Sequence, residues 1–163
     1  MKTLCLLRHA KSSWDNDILD DFDRPLNPRG KKDAPVMAMR LRDYAFFPQT
    51  VLASPAKRTR KTAKIFADSL GYPRQDILFS QLIYEGALEE MVELLRGVND
   101  ESRRVMLVGH NPYITILAEW LSGRNFGNVP TCGMVGLEFP IDSWRQLSQG
   151  GGGLLFYDYP KNR

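Results

Sequence analysis

Histidine and cysteine each occur only twice in the 163 residues of this chain, and that scarcity removes several chemistries at once. Cys5 lies in an apolar run and Cys132 far from it, with no CxxC pair and no metal-ligand spacing. A disulfide framework is therefore not expected, and both read as free thiols of a reducing compartment, Cys5 as a small core hydrophobe. Long apolar runs are missing as well: nothing approaches the roughly 20 residues that a membrane span requires. The first strand follows Met1-Lys2 with no leader-like segment, so a cytoplasmic protein without a membrane partner is expected. A large excess of one charge sign is absent too. The 22 Lys and Arg against 19 Asp and Glu leave only +3, which gives no reason to expect nucleic acid as a partner. With 43% hydrophobic and 25% charged residues the composition is that of a globular protein, and the length suits one domain over residues 1–163.

What is present is a matched placement of the two histidines. Each ends a short apolar run that turns abruptly polar: Leu4-Cys5-Leu6-Leu7-Arg8-His9 and Val105-Met106-Leu107-Val108-Gly109-His110. Such runs are strands buried on both faces, as in a mainly parallel sheet, where ligands bind beyond the carboxyl ends of the strands. Both imidazoles are thus predicted to meet in one crevice.

The rest of the chain alternates in the same style. Apolar positions at helical spacing predict a helix from about Lys31 to Tyr44, and Thr50-Val51-Leu52-Ala53 a second strand. Ser54-Pro55 reads as an N-cap with proline at the first position of a helix that runs to Leu70. A short strand at Ile77-Leu78-Phe79, a helix carrying Leu88, Met91, Val92 and Leu95, a strand at Arg104 to Val108 and a helix from Pro112 to about Leu121 follow. Met134 to Phe139, Trp144 to Leu147 and Leu154 to Tyr159 read as short strands, with Gly150 to Gly153 a flexible loop. The expected fold is α/β: three layers, α/β/α, around a central, mostly parallel mixed sheet.

Two charge runs stand out. Lys57, Arg58, Arg60, Lys61 and Lys64 crowd one segment, and Asp15, Asp17, Asp20, Asp21 and Asp23 another; most of these residues read as solvated surface. Arg58 is the exception, because it falls in the first turn of its helix and faces the crevice of Arg8. Two guanidiniums and two imidazoles form a socket for an oxyanion, and a phosphoryl group is the obvious guest.

These motifs carry a resemblance. Leu7-Arg8-His9-Ala10-Lys11-Ser12, Asp23-Arg24-Pro25-Leu26-Asn27-x-x-Gly30, Ser54-Pro55-Ala56-x-Arg58-x-x-x-Thr62 and Val108-Gly109-His110-Asn111-Pro112, in that order, resemble the histidine phosphatase (phosphoglycerate mutase-like) superfamily. More narrowly they resemble its SixA-like branch of phosphohistidine phosphatases, over nearly the whole chain. The resemblance implies His9 as nucleophile, Arg8, Arg58 and His110 as phosphoryl ligands, no cofactor and no metal. Ser12 and Asn111 are further phosphate-binding candidates, Asn111 chiefly through its backbone, while Arg24 and Asn27 brace the loop and the three tryptophans, Trp14, Trp120 and Trp144, pack in the core or on loops. The substrate would be a phosphorylated protein or a small phosphorylated compound, with inorganic phosphate as product.

Two departures bear on substrate. Ala10 stands where the wider family usually has glycine, as is common in the SixA-like branch. Branches that cleave phosphate monoesters carry an acid for the leaving alcohol, and the only candidate here is Glu85. A phosphoramidate leaves more easily than an alkoxide, and the short stretch from Glu85 to Arg104 leaves no room for a lid domain, so phosphohistidine on another protein is the expected substrate. The rival readings are a phosphatase for small phosphate esters and a phospho-ligand module without turnover.

Overall fold

A computed structural model describes residues 1–163. Its elements are β1 (Lys2–Arg8), α1 (Pro28–Asp43), β2 (Thr50–Ala53), α2 (Lys57–Leu70), β3 (Leu78–Phe79), α3 (Gln81–Glu85) and α4 (Leu88–Arg96), then β4 (Arg104–Gly109), α5 (Tyr113–Ser122), β5 (Met134–Phe139) and β6 (Gly153–Asp158). The six strands form one sheet in the order β3-β2-β4-β1-β5-β6. The first four strands are mutually parallel, and β5 runs antiparallel to both β1 and β6. This is the α/β fold expected, with helices on both faces of a mixed sheet.

Side-chain alternation along the strands builds two cores. Cys5 and Leu7 of β1, Val51 and Ala53 of β2, and Met106 and Val108 of β4 pack with α1 and α2 on one face. Leu4, Leu6, Leu52, Val105 and Leu107 point the other way, into a layer with α4, α5 and Trp144. Because both faces are covered, the central strands are apolar at successive positions, which is why they appear in the sequence as unbroken runs.

The connections fix where a ligand can sit. From β1 the chain passes to α1 on one face; from β4, the neighbour of β1, it passes to α5 on the opposite face. Helices leaving adjacent strands in opposite directions open a crevice at their carboxyl ends, the switch point of an open α/β sheet. Arg8 pairs with Gly109 in that register, and the His9 amide donates to the Gly109 carbonyl at 3.1 Å. His9 and His110 are therefore brought side by side.

Several local expectations are corrected. α1 begins at Pro28, because the Asn27 side chain accepts from the Gly30 amide at 2.8 Å and caps the helix three residues earlier than its apolar stripe indicates. α2 begins at Lys57 with Ala56 as its N-cap; Ser54 Oγ instead accepts the Ala56 amide at 3.2 Å and bonds to His110. Leu82 to Gly86, which the sequence presents as the link between β3 and the next helix, is itself helical over most of its length, as part of α3. Trp144–Gln146 is a single 3-10 turn, closed by Ser143 and by the Trp144 indole, which donates to the Ser102 carbonyl at 2.7 Å. The glycine run is packed at one point: the Gly152 amide donates to Leu121, and a Cβ there would meet the Phe139 ring at 2.7 Å.

Gly30 is required for a different reason. A Cβ at this helical position would lie 2.1 Å from the Lys11 carbonyl oxygen, in the loop that carries His9 into the crevice. Alanine is ordinarily the better helix former by about 1 kcal/mol. Here the backbone clash outweighs that gain, so Gly30→Ala should lower stability by about 1–3 kcal/mol, the usual range for overpacking. Denaturant titration checks this, and an unchanged or raised midpoint would contradict it.

Candidate active site

The crevice holds a cavity of about 650 Å³ whose walls include Arg8, Lys11, Arg24 and Arg58 but a single carboxylate, Asp21. His9 and His110 form its floor, with ring centroids 5.2 Å apart. His9 is 6% exposed and Arg58 5%, so both act in a largely desolvated setting.

The His9 ring is fixed in one tautomer. Nδ1 lies 2.7 Å from the Ala10 carbonyl, which can only accept, so the ring proton resides on Nδ1. The lone pair is left on Nε2, and Arg58 Nε approaches it at 3.4 Å. Burial pushes the His9 pKa well below its ordinary value; the Ala10 bond opposes this, while His110, Arg58 and Arg8 reinforce it. The ring is neutral at neutral pH, with the lone pair of Nε2 turned toward the cationic wall.

His110 is also neutral. Burial, then Arg58, bring it down to about 3, against the opposing pull of Asp21. Its Nε2 meets Ser54 Oγ at 2.8 Å and Thr59 Oγ1 at 3.3 Å, whereas its Nδ1 is buried with no protein partner. Arg8 is in a similar state: Nη1 donates to the Val129 carbonyl at 3.0 Å and Nε is buried without a partner. Unpartnered buried polar atoms are rare, and the Arg8 guanidinium nitrogen can only donate, which suits an oxyanion in the cavity that Arg8 lines.

Arg58 is aimed by groups the sequence did not flag. Its Nη1 donates to the Asp21 main-chain carbonyl at 2.6 Å and its Nη2 to Asp21 Oδ2 at 3.0 Å, leaving Nε directed at His9. Asp21 also accepts from Tyr84 at 2.7 Å and from Arg24 at 3.0 and 3.1 Å. Burial would raise this carboxyl, but the bonds from Tyr84, Arg58 and Arg24 outweigh it and bring the pKa to about 2. Thr62 braces the same corner: its hydroxyl donates to the Arg58 carbonyl and accepts from the Ala10 amide. Cys132, in the left-handed region at φ 60°, holds the backbone of Arg8 and His9, with its amide donating to both carbonyls.

The structure thus brings together Arg8, His9, Arg58 and His110, with Ser12 on the wall and its hydroxyl accepting from Arg24 at 2.8 Å. Arg24 and Asn27 brace the loop as expected, and Trp14 packs on that loop and not in a core: it is 75% exposed, with the Arg24 guanidinium over its ring at 3.5 Å. The Asn111 side chain is consumed by Asn128, Val129 and Thr115, so only its backbone remains for a ligand. Glu85 is exposed at the end of α3 and does not line the cavity; its neighbour Tyr84 does, edge-on to His110. Asp21 and Tyr84 were hidden, one inside an acidic run and the other beside the more suggestive Glu85.

The fold and this crevice define an α/β protein with a cationic, histidine-floored pocket at a sheet switch point. The model of the histidine phosphatase superfamily, branch 1, matches residues 4–93, and the chain belongs to that superfamily. An uncharacterised chloroplastic protein of Arabidopsis thaliana is 33% identical over 93% of this chain and 74% of its own length. SixA of Agrobacterium tumefaciens, a candidate phosphohistidine phosphatase, superposes with a TM-score of 0.84 at 28% identity, over 98% of each chain. A protein histidine phosphatase SixA complexed with tungstate shares the fold at a TM-score of 0.82 and 20% identity, over 97% of each chain. The chain is therefore similar in fold to SixA proteins, and its superfamily implies a phosphorylated substrate.

The neutral rings make stability depend on pH. Below about pH 6.5 the unfolded chain protonates both histidines while the folded one does not, so their contribution is fully present above that pH and is lost as pH falls. Stability at pH 5.5 should be about 2–3 kcal/mol lower than at pH 7.5, and His110→Gln should retain about half of that difference. Denaturation at the two pH values measures it; a flat profile would contradict the assignment.

Proposed function

We propose that the chain is a metal-independent phosphatase of the SixA-like type, one catalytic domain over residues 1–163, that hydrolyses phosphohistidine through a covalent phosphohistidine on His9. One observation carries this reading: the His9 tautomer is fixed with its Nε2 lone pair facing a cationic wall, and the only carboxylate beside it is fully ionised.

The in-line step follows from that geometry. Nε2 of His9 attacks phosphorus as the bond to the substrate's imidazole nitrogen breaks, and the electron pair leaves with that ring. Protonation of the substrate's distal ring nitrogen makes the leaving group a neutral imidazole, so the enzyme need not supply an acid. As charge spreads over the equatorial oxygens, Arg58 Nε and Arg8 Nε receive it; with the Ser54 hydroxyl donating to His110 Nε2, the proton of that ring lies on Nδ1, which has no protein partner and serves as a third donor. Water then cleaves the new N–P bond in line, which releases inorganic phosphate and restores the neutral ring. The two guanidiniums supply the positive charge that a metal would otherwise provide, and they repel a cation.

A phosphate monoester requires a proton for its alkoxide. Asp21, at about 2, holds none near neutrality, and Glu85 points outside the cavity. The likeness to SixA at 28% identity supports the same substrate class. The buried free thiols Cys5 and Cys132 fit a cytoplasmic setting.

Wild type and single variants assayed on a phosphohistidine protein and on an aryl phosphate provide the test. His9→Ala should fall to background, and Arg58→Ala should lose about 10²–10³ in rate, the usual cost of an oxyanion donor. Glu85→Gln should leave the rate unchanged. Faster turnover of a sugar phosphate than of phosphohistidine would overturn the substrate assignment, and equal background rates for wild type and His9→Ala would overturn catalysis altogether.

A further inference from the structure

Beside the catalytic cavity lies a second groove, of about 450 Å³, that the proposed reaction does not use. Six of its eight lining residues are cationic, none is acidic and none is aromatic. Lys57, Arg60, Lys61 and Lys64 come from α2, at positions i, i+3, i+4 and i+7, so they form a stripe along one face of that helix. At about 1.5 Å per residue the stripe is roughly 10 Å long. The opposite face of α2, with Thr62, Phe66 and Leu70, is buried, which leaves the stripe turned outward. Lys31 of α1 adds a further charge across the groove.

Five of these cations make no ion pair; only Arg74 is matched, by Asp68 at 2.5 Å. For a chain whose net charge is +3, such a concentration is uneven and leaves acidic residues in excess over the rest of the molecule. The groove also neighbours the cavity through the backbone that lines both. Leu26 lines it and bridges to Ser12, which lines the cavity, and Lys57 precedes Arg58. A partner seated on the stripe would thus lie at the cavity mouth.

We propose that this groove docks an acidic face of the phosphorylated protein whose phosphohistidine enters the His9 cavity. The identity of the partner rests on the phosphohistidine reading above; the acidic character rests on the groove alone. A row of cations at helical spacing matches carboxylates repeated along a protein segment better than it matches a single small anion. The absence of aromatic side chains argues against single-stranded nucleic acid, whose bases are held by stacking. Long-range attraction of this kind raises the rate of encounter and is weakened by salt.

The test uses two synthetic helical peptides, each with one histidine phosphorylated by phosphoramidate. One carries four glutamates at i, i+3, i+4 and i+7, and the other has glutamine in their place. Wild type should cleave the acidic peptide with a kcat/KM about tenfold higher than the neutral one at low salt, and the advantage should shrink as salt rises. Arg60→Glu/Lys61→Glu/Lys64→Glu should abolish that preference while keeping the wild-type kcat/KM on free phosphohistidine, which also reports correct folding. Equal rates on the two peptides with wild type would overturn the proposal, as would a variant that loses the same factor on free phosphohistidine. Fluorescence anisotropy with the unphosphorylated acidic peptide separates docking from chemistry. Binding that the charge reversal removes supports the groove even if no phosphopeptide is cleaved, a result that would sink the phosphohistidine reading instead. Tighter binding of a labelled single-stranded RNA than of the acidic peptide would overturn the assignment of a protein partner.

Discussion

The parallel pairing of β1 with β4 is the constraint on which the site depends. Six aligned pairs from Thr3 with Arg104 to Arg8 with Gly109 bring the two strand ends level, and the next residue on each strand is a histidine. A slip by one residue would send every apolar side chain of β1 to the wrong face. Since both faces are buried against helices, such a slip would disrupt two cores at once. Packing that has nothing to do with phosphate thereby fixes the distance between the two imidazoles.

Electrostatics then follow from burial. Removing His9 and His110 from water beside Arg8 and Arg58 keeps both rings neutral, so the same cations that would hold a phosphoryl group also preserve the lone pair that would attack it. The charge in the cavity is one-sided except for Asp21, which holds Arg58 through two bonds and Arg24 through two more. That carboxylate costs the pocket one unit of positive charge and in return fixes the orientation of a long, flexible guanidinium. The unpartnered Arg8 Nε and His110 Nδ1 complete a polar surface suited to an oxyanion.

Much of this could be read from residue order. The strand ends at His9 and His110, the early-turn position of Arg58 and the apolar stripes of the helices are local patterns, and local patterns survive folding. Trp144 to Leu147 was misread because its apolar spacing resembles a strand, whereas its geometry is decided by side-chain bonds from Ser143 and to Ser102. Asp21 was indistinguishable from the aspartates around it until folding placed Arg58, Arg24 and Tyr84 on its oxygens. Glu85 is the acid that the resemblance singles out, yet the five-residue helix α3 turns its neighbour Tyr84 into the cavity and leaves Glu85 exposed, and so short a helix carries no periodicity to tell the two apart. The basic run of α2 looked like solvated surface, and only the placement of Lys31 and Arg74 beside it revealed a groove.

Acid-free trapping of the enzyme during turnover bears most directly on the central claim. Wild type mixed with excess phosphohistidine substrate, quenched in base within milliseconds and mapped by mass spectrometry, should carry one phosphoryl group on the peptide that contains His9. That group should be lost on acid treatment, as a phosphoramidate is. A phosphoryl group found only on another residue, or phosphate released at full rate with none ever bound to His9, would contradict the proposed intermediate.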